Sequence, residues 1–190
     1  NDGKVNILEN KFILKSKVFF NMQSIRLLED VPGTRAFIVS DSIMDELGYL
    51  QTAIDHLAKA GISSVTFTGV RPDPDVKVIA DGTKLFIDSR ADVLVGIGGG
   101  SAIDAAKGIL YFAANMESQS AKEFKRPLFV AIPSTSGTGS EVTNFSVITS
   151  DDGKVCIVDE FITPDIAILD STCLQHVPPR VVVDTGIDVL

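Results

Sequence analysis

The sequence predicts an α/β fold, a Rossmann-like parallel sheet with helices on both faces. Three observations lead there. From Arg35 to Pro133, short apolar runs alternate with amphipathic stretches, the order of parallel strands joined by right-handed crossovers. The runs RAFIVSD (35–41), DVLVGIG (92–98) and PLFVAIP (127–133) look like buried strands, covered on both faces. A run of three glycines, Gly98 to Gly100, stands between one of these strands and a helical pattern.

The elements follow in order. KFILKSKVFF alternates and reads as extended, one or two strands or a hairpin. After RAFIVSD, the residues Ile43, Leu47, Leu50, Ile54, Leu57 and Ala58 share one helical stripe that ends before Gly61. SVTFTGV is the next strand. RPDPD is a loop that opens a helix from Val76 to Arg90. DVLVGIG, a helix from Ser101 to Ala114, and PLFVAIP complete the series. Beyond Pro133 the rhythm changes. PSTSGTGSEVT is rich in hydroxyls and glycine, and FSVITSDDGKVCIV reads as a hairpin across Asp-Asp-Gly. DIAILD is a further buried strand. Pro178 and Pro179 then suit the start of a helix that runs into VVVDTGIDVL. There is no repeat and no low-complexity tract.

Composition narrows the class. With 190 residues, the chain is long enough for one domain with a real core. Hydrophobic residues make up 45% of it, yet no apolar run reaches membrane-spanning length, so no membrane partner is expected. The net charge of −8, with no Lys/Arg cluster, speaks against nucleic acid, whose phosphates need a basic face. One small anionic ligand needs only local donors and stays open. Cys156 and Cys173 form no CxxC or zinc spacing and read as reduced packing residues of a cytoplasmic protein. No signal peptide is expected from its opening residues. It begins at Asn1 rather than Met and stops in mid-pattern at Leu190, so it is expected to be a piece of something larger.

Two stretches carry chemistry. In GIGGGSAIDAAK, Ser101 is a natural helix N-cap and Asp104 resembles the acidic partner of a capping box. A helix start offers free N–H groups and a positive dipole end, and glycines let a phosphate approach the backbone. The run is neither GxGxxG in its usual frame nor a Walker P-loop, so a tight capped turn stands beside the phosphate cradle as an alternative. Asp41 closes the first strand of the series, where dinucleotide-binding domains place a carboxylate for the adenosine ribose. A carboxylate there repels a 2′-phosphate and favours NAD over NADP. Asp41 can equally cap the next helix, and the two roles can coexist. PSTSGTGSE, a hydroxyl-rich loop after a parallel strand, suits phosphate, ribose or a nicotinamide amide, or is a self-capping turn.

In this order, GGGSAIDAAKG, PSTSGTGSEVT, PDIAILD, VPP and TGIDVL resemble the iron-containing (group III) alcohol dehydrogenase family, over nearly the whole chain. Within it, SAIDAAKGILYF and TGIDVL look most like the 1-propanol dehydrogenases of propanediol-degrading bacteria. The resemblance implies a dehydroquinate synthase-like N-terminal domain that binds NAD, followed by an all-helical domain holding a divalent metal, Fe2+ or alternatively Zn2+. Residues 1–177 would be the first domain and 178–190 the first helix of the second. It implies cofactor roles for Asp41, for Asp73 near the adenine-side ribose, and for Gly99, Gly100 and Ser101 at the pyrophosphate. Ser134, Thr135 and Thr138 would form the hydroxyl loop, Lys154 would reach ribose or phosphates, and Leu174 would make an apolar contact. Asp188 would be a metal ligand, since the family reads Asp-x-x-x-His here and positions i and i+4 share a helix face. His56 and His176 match no ligand position and read as a helix-surface and a loop residue.

The implied activity is an NAD-dependent alcohol dehydrogenase for short primary alcohols and aldehydes, such as 1-propanol and propanal. No direct catalytic side chain is assigned, and the 190 residues alone are expected to be inactive. A homo-oligomer, packaging in a bacterial microcompartment and contact with its shell or enzymes follow from the resemblance. The alternatives are a glycerol dehydrogenase-type enzyme on the same scaffold, or a non-catalytic nucleotide-binding or interaction module.

Overall fold

The computed structural model describes residues 14–119 and 124–187. Its strands are β1 (Lys17–Phe20), β2 (Arg35–Asp41), β3 (Ser63–Val70), β4 (Val93–Gly98), β5 (Leu128–Pro133), β6 (Phe145–Ser150), β7 (Gly153–Val158) and β8 (Ile166–Leu169). Its helices are α1 (Ser42–Glu46), α2 (Tyr49–Lys59), α3 (Val76–Ser89), α4 (Gly100–Gln119) and α5 (Pro179–Ile187). Three short 3-10 turns cover Ser24–Glu29, Glu160–Ile162 and Ser171–Leu174.

Six strands form one sheet in the order β1-β8-β5-β4-β2-β3, with every pairing parallel. Strand side chains alternate between the two faces, and both faces are buried. On one face Ile38, Val95, Ile97, Val130 and Ile132 pack beneath Leu50, Ala53 and Leu57 of α2 and beneath Ile25 and Leu28. On the other, Phe37, Val39, Leu94 and Phe129 pack beneath Ile79 and Phe86 of α3 and Ala106, Ile109 and Ala113 of α4. This is the doubly wound α/β architecture expected. The β6–β7 pair is the expected hairpin, turning at Asp151-Asp152 between Ser150 and Gly153. It lies outside the main sheet.

The connections define a crevice. From β2 the chain steps outward to β3, then returns to the other side of β2 for β4 and continues to β5 and β8. Strand order therefore reverses between β2 and β4. At such a switch point the loops leave in opposite directions and open a cleft above the C-terminal strand ends.

Several sequence expectations change. β1 forms no hairpin among the described residues; it pairs in parallel with β8, Lys17 against Ile166. Alternation marks an extended segment, and no local signal names a partner so far along the chain. The stripe from Ile43 to Ala58 is not one helix. Gly48, at φ +78°, ends α1 and begins α2, which leaves Ile43 59% and Leu47 37% exposed. α4 is longer than the Ser101–Ala114 expected, and β5 follows it as foreseen. His56 is no plain surface residue: its Nδ1 lies 2.7 Å from Glu29 Oε1, tying α2 to the Ser24–Glu29 turn. Cys173 is buried as expected, but Cys156 is exposed on β7 rather than packed inside; both are free thiols. No described helix is long and apolar enough to cross a membrane.

Candidate functional site

The crevice between β2 and β4 brings Asp41 to the glycine run. Asp41 ends β2 and is the N-cap of α1, with Oδ1 accepting the Met44 N–H at 2.9 Å. Its second oxygen is left for other work. Oδ2 lies only 2.8 Å from where a Cβ on Gly98 would sit, so carboxylate and glycine turn share one wall. Gly98 has φ +143°, a conformation L side chains avoid. That turn swings the chain from β4 straight into α4.

α4 starts one residue earlier than expected. The Gly99 carbonyl accepts from Ala102 at 3.0 Å and Ile103 at 3.3 Å, so Ser101 sits inside the first turn and is not the N-cap. The N–H groups of Gly100 and Ser101, the first of the helix, have no carbonyl one turn back to bond. They form the positive end of the α4 dipole. Asp104 is not a capping-box acid either. It is 8% exposed, and its Oδ2 accepts the Val147 N–H at 3.1 Å.

The hydroxyl-rich loop lies directly over this helix start. Ser134, buried, donates its N–H to the Gly98 carbonyl at 2.8 Å. Thr135 lies 3.4 Å from a Cβ placed on Gly99, and Thr138 3.3 Å from one on Gly100. The two glycines thus let the loop settle closely on the helix. Thr135 Oγ1 is buried and has no hydrogen-bond partner. Burying a hydroxyl unpaired is unfavourable, so this atom marks a place where a polar ligand atom fits. On the far side, Ser136 Oγ lies 3.4 Å from Thr185 Oγ1 of α5.

The remaining expected residues fall around the rim. Asp73, at φ +55° in the loop before α3, pairs with Lys154 of β7 at 2.8 Å. Both are exposed, so the pair adds little stability, but it brings the hairpin tip beside the 71–75 loop. Thr149 of β6 also donates its N–H to the Pro74 carbonyl at 2.9 Å. Leu174 is half-buried at the end of the 3-10 turn that follows β8. His176 lies in the loop before α5, its ring 6.3 Å from that of Tyr49. Asp188 lies outside the described residues. Among the described residues no group of His, Cys, Asp and Glu is arranged to hold a metal. A cavity of about 520 Å³ lined by Arg90, Asp92 and Lys125 sits at the opposite end of the sheet and contains none of the expected residues.

Behind the site, Lys107 escaped sequence reasoning, and Asp104 has a role other than the capping expected of it. Lys107 is 0% exposed; its Nζ donates to Thr143 Oγ1 at 3.1 Å and to the Phe145 carbonyl at 2.8 Å. Burial pushes this ammonium down to about 8, against the attraction of Asp104 and Glu141. Burial likewise raises Asp104 above its ordinary range, opposed by the Val147 N–H, Lys107 and the Ser140 hydroxyl. The signal was present in the sequence: Asp104 and Lys107 are the charges in a helix stretch otherwise made of Ala and Ile.

Known proteins resemble this chain in sequence and fold. The family model described as iron-containing alcohol dehydrogenase matches residues 15–171. An NADPH-dependent butanol dehydrogenase from Clostridium saccharobutylicum is 35% identical over 193 residues, covering 95% of this chain and 50% of that protein. A 1-propanol dehydrogenase from Salmonella typhimurium is 34% identical, covering 95% and 48%. Among solved structures, an iron-containing alcohol dehydrogenase from Thermococcus thioreducens superposes with a TM-score of 0.86 at 32% identity, covering 95% of this chain and 52% of that one. A sulfoacetaldehyde reductase from Bifidobacterium kashiwanohense, in complex with NAD+, gives 0.82 at 26% identity, covering 94% and 50%. The chain spans about half the length of the relatives it matches.

Proposed function

The chain belongs to the iron-containing alcohol dehydrogenase family, and from that membership we propose that it forms the NAD-binding half of an iron-dependent enzyme interconverting short primary alcohols and aldehydes, 1-propanol and propanal among them. The observation that carries this is the crevice at the β2–β4 switch. It brings the second Asp41 oxygen beside Gly98, the first turn of α4, and the unpartnered Thr135 hydroxyl beside Gly99. A dinucleotide suits that set of groups. Asp41 Oδ2 would accept from the adenosine ribose, the first N–H groups of α4 would hold the pyrophosphate, and Ser134, Thr135 and Thr138 would bond the cofactor beyond it. Asp73, Lys154 and Leu174 would complete the rim. When bound, Fe2+, or Zn2+ in its place, supplies Lewis acidity at the alcohol oxygen, while the nicotinamide carries the hydride. From this chain Asp188 would be the metal ligand, on a second, helical domain that begins at residue 178. That none of the described residues of α5 is buried supports the boundary after 177. We propose as its setting a cytoplasmic homo-oligomer, packaged in a microcompartment with shell or enzyme partners, a reading that rests on the resemblance to 1-propanol dehydrogenases.

The direct test is the full-length protein, loaded with Fe2+ and assayed with NAD and a panel of alcohols. Oxidation of 1-propanol is expected. The 190 residues alone are expected to bind NADH weakly at best and to show no turnover. A full-length, metal-loaded protein inert to every primary alcohol would overturn the proposal.

Asp41 decides between the two cofactors. One relative's name carries NADPH, so the preference is worth measuring. Asp41→Gly is expected to lower kcat/KM for NAD by about 10- to 100-fold, the worth of a charged hydrogen bond of ~1.5–3 kcal/mol. It should raise kcat/KM for NADP at least about tenfold by lifting the repulsion of the 2′-phosphate. Unchanged ratios would remove Asp41 from the ribose site.

A further inference from the structure

Lys107 is a charged side chain withdrawn completely from water, away from every ligand-facing surface, in a helix that could bury an apolar residue there more cheaply. Its partners show what it does. Nζ holds Thr143 Oγ1 and the Phe145 carbonyl, and lies 5.8 Å from the Phe145 ring. One turn back on the same face, Asp104 accepts the Val147 N–H, and its own carbonyl accepts from Ser146 Oγ at 2.8 Å. Thr143 and Phe145 to Val147 are thereby fixed to α4 by four hydrogen bonds from two residues.

The other end of the loop is fixed too, by Ser134 N–H on the Gly98 carbonyl. Between these anchors, residues 135–142 span the helix start with few bonds of their own. Val142 N–H reaches the Gly139 carbonyl at 3.1 Å, and Gly137 and Gly139 adopt positive φ. The height at which Thr135 and Thr138 sit over Gly99 and Gly100 is therefore set by where the anchors hold. An apolar residue at position 107 would fill the space but could not fix the register of a strand that must be gripped by its oxygens. An ammonium, with three donors, can.

We propose that Asp104 and Lys107 form a clasp that positions the hydroxyl loop on the cofactor cradle, Lys107 being a positioning residue for dinucleotide binding that touches no ligand itself. The proposal rests on the NAD-binding role given above. It assigns the clasp to the part of the dinucleotide beneath the loop, the pyrophosphate and the nicotinamide side. The adenosine end, held at Asp41 on β2, lies outside its reach.

The test uses the whole enzyme with two variants, Lys107→Met, which keeps the stem of the side chain and removes the donors, and the near-isosteric Thr143→Val, which removes one acceptor. NADH affinity is read by fluorescence, AMP affinity by displacement, melting temperature by calorimetry, and protection of residues 135–142 by hydrogen exchange. Lys107→Met is expected to raise the NADH Kd about tenfold or more and to speed exchange in the loop, with AMP affinity held within about twofold. Thr143→Val should raise the NADH Kd by about threefold, again sparing AMP. A merely structural role predicts something else: NADH and AMP affinity falling together with the melting temperature, which would overturn the proposal. So would unchanged NADH affinity in both variants while the wild type binds normally. A wild-type enzyme that binds no NADH would overturn the cofactor reading as well, which separates the two failures.

Discussion

Gly98→Ala is expected to reduce NADH affinity by about 100-fold or more and to destabilise the fold by about 2–5 kcal/mol. The residue has φ +143°, and an added Cβ would lie 2.8 Å from Asp41 Oδ2 and 2.8 Å from the Ala102 Cβ. Neither neighbour is free to give way. Asp41 is held by its cap bond to Met44, and Ala102 is in the first turn of α4. Relief must come from moving the carboxylate or displacing the helix start, and each moves a wall of the crevice. Urea denaturation and NADH titration measure the two effects. A variant with affinity within about threefold of wild type would mean that the β4–α4 turn does not shape the cofactor site.

Asp170→Ala is expected to cost about 3–5 kcal/mol, the largest stability loss from any polar residue outside the crevice. Asp170 is 2% exposed at the end of β8 and accepts from Gln23 N–H, Ile25 N–H, Thr172 N–H and Thr172 Oγ1, at 2.7 to 3.0 Å. Truncation leaves these donors stranded and unhooks the Ser24–Glu29 turn from the sheet. The same carboxylate shapes acid sensitivity. Burial pushes it up, but the Ile25 N–H, the hydroxyl and N–H of Thr172 and the Gln23 N–H outweigh this, and the net shift is downward from 3.8. Asp92 at the other end of the sheet is also lowered, burial being outweighed by the N–H groups of Arg35 and Thr34 and by the Thr34 hydroxyl. A depressed folded value means the unfolded chain takes up protons first. The stability these groups contribute is complete above 3.8 and drains away as pH falls through their lower folded values. Denaturation midpoints followed from pH 6 to pH 2 should therefore fall less steeply in Asp170→Ala than in wild type; parallel curves would contradict this.

Much of the sheet was legible because its signals are local. Strands buried on both faces announce themselves as unbroken apolar runs, and β2, β4 and β5 lie where RAFIVSD, DVLVGIG and PLFVAIP placed them, to within a residue. Asp41 and the glycine run could be paired by their positions at the C-terminal ends of two buried strands. What stayed hidden depends on distant partners. The alternation of KVFF gives no hint that β8 is its neighbour, and the stripe around Leu47 conceals the break at Gly48. Ser101 and Asp104 fit a capping box by spacing alone, yet Gly99 supplies the first helical carbonyl and the β6 strand claims Asp104. The clasp formed with Lys107 was written as two charges in an apolar helix, but its purpose needs the loop that folds over it.

The pairing of β1 with β8 also bears on how the chain comes to be folded. The first described strand is a sheet edge whose partner is made after every other strand of that sheet. During synthesis β2, β3, β4 and β5 can assemble in sequence as each crossover emerges from the ribosome, while Lys17–Phe20 must wait for Ile166–Leu169. Closing so long a loop is entropically slow. The two exposed phenylalanines of that strand, Phe19 and Phe20, spend this interval without a neighbour, and chaperone capture or misassembly would begin there.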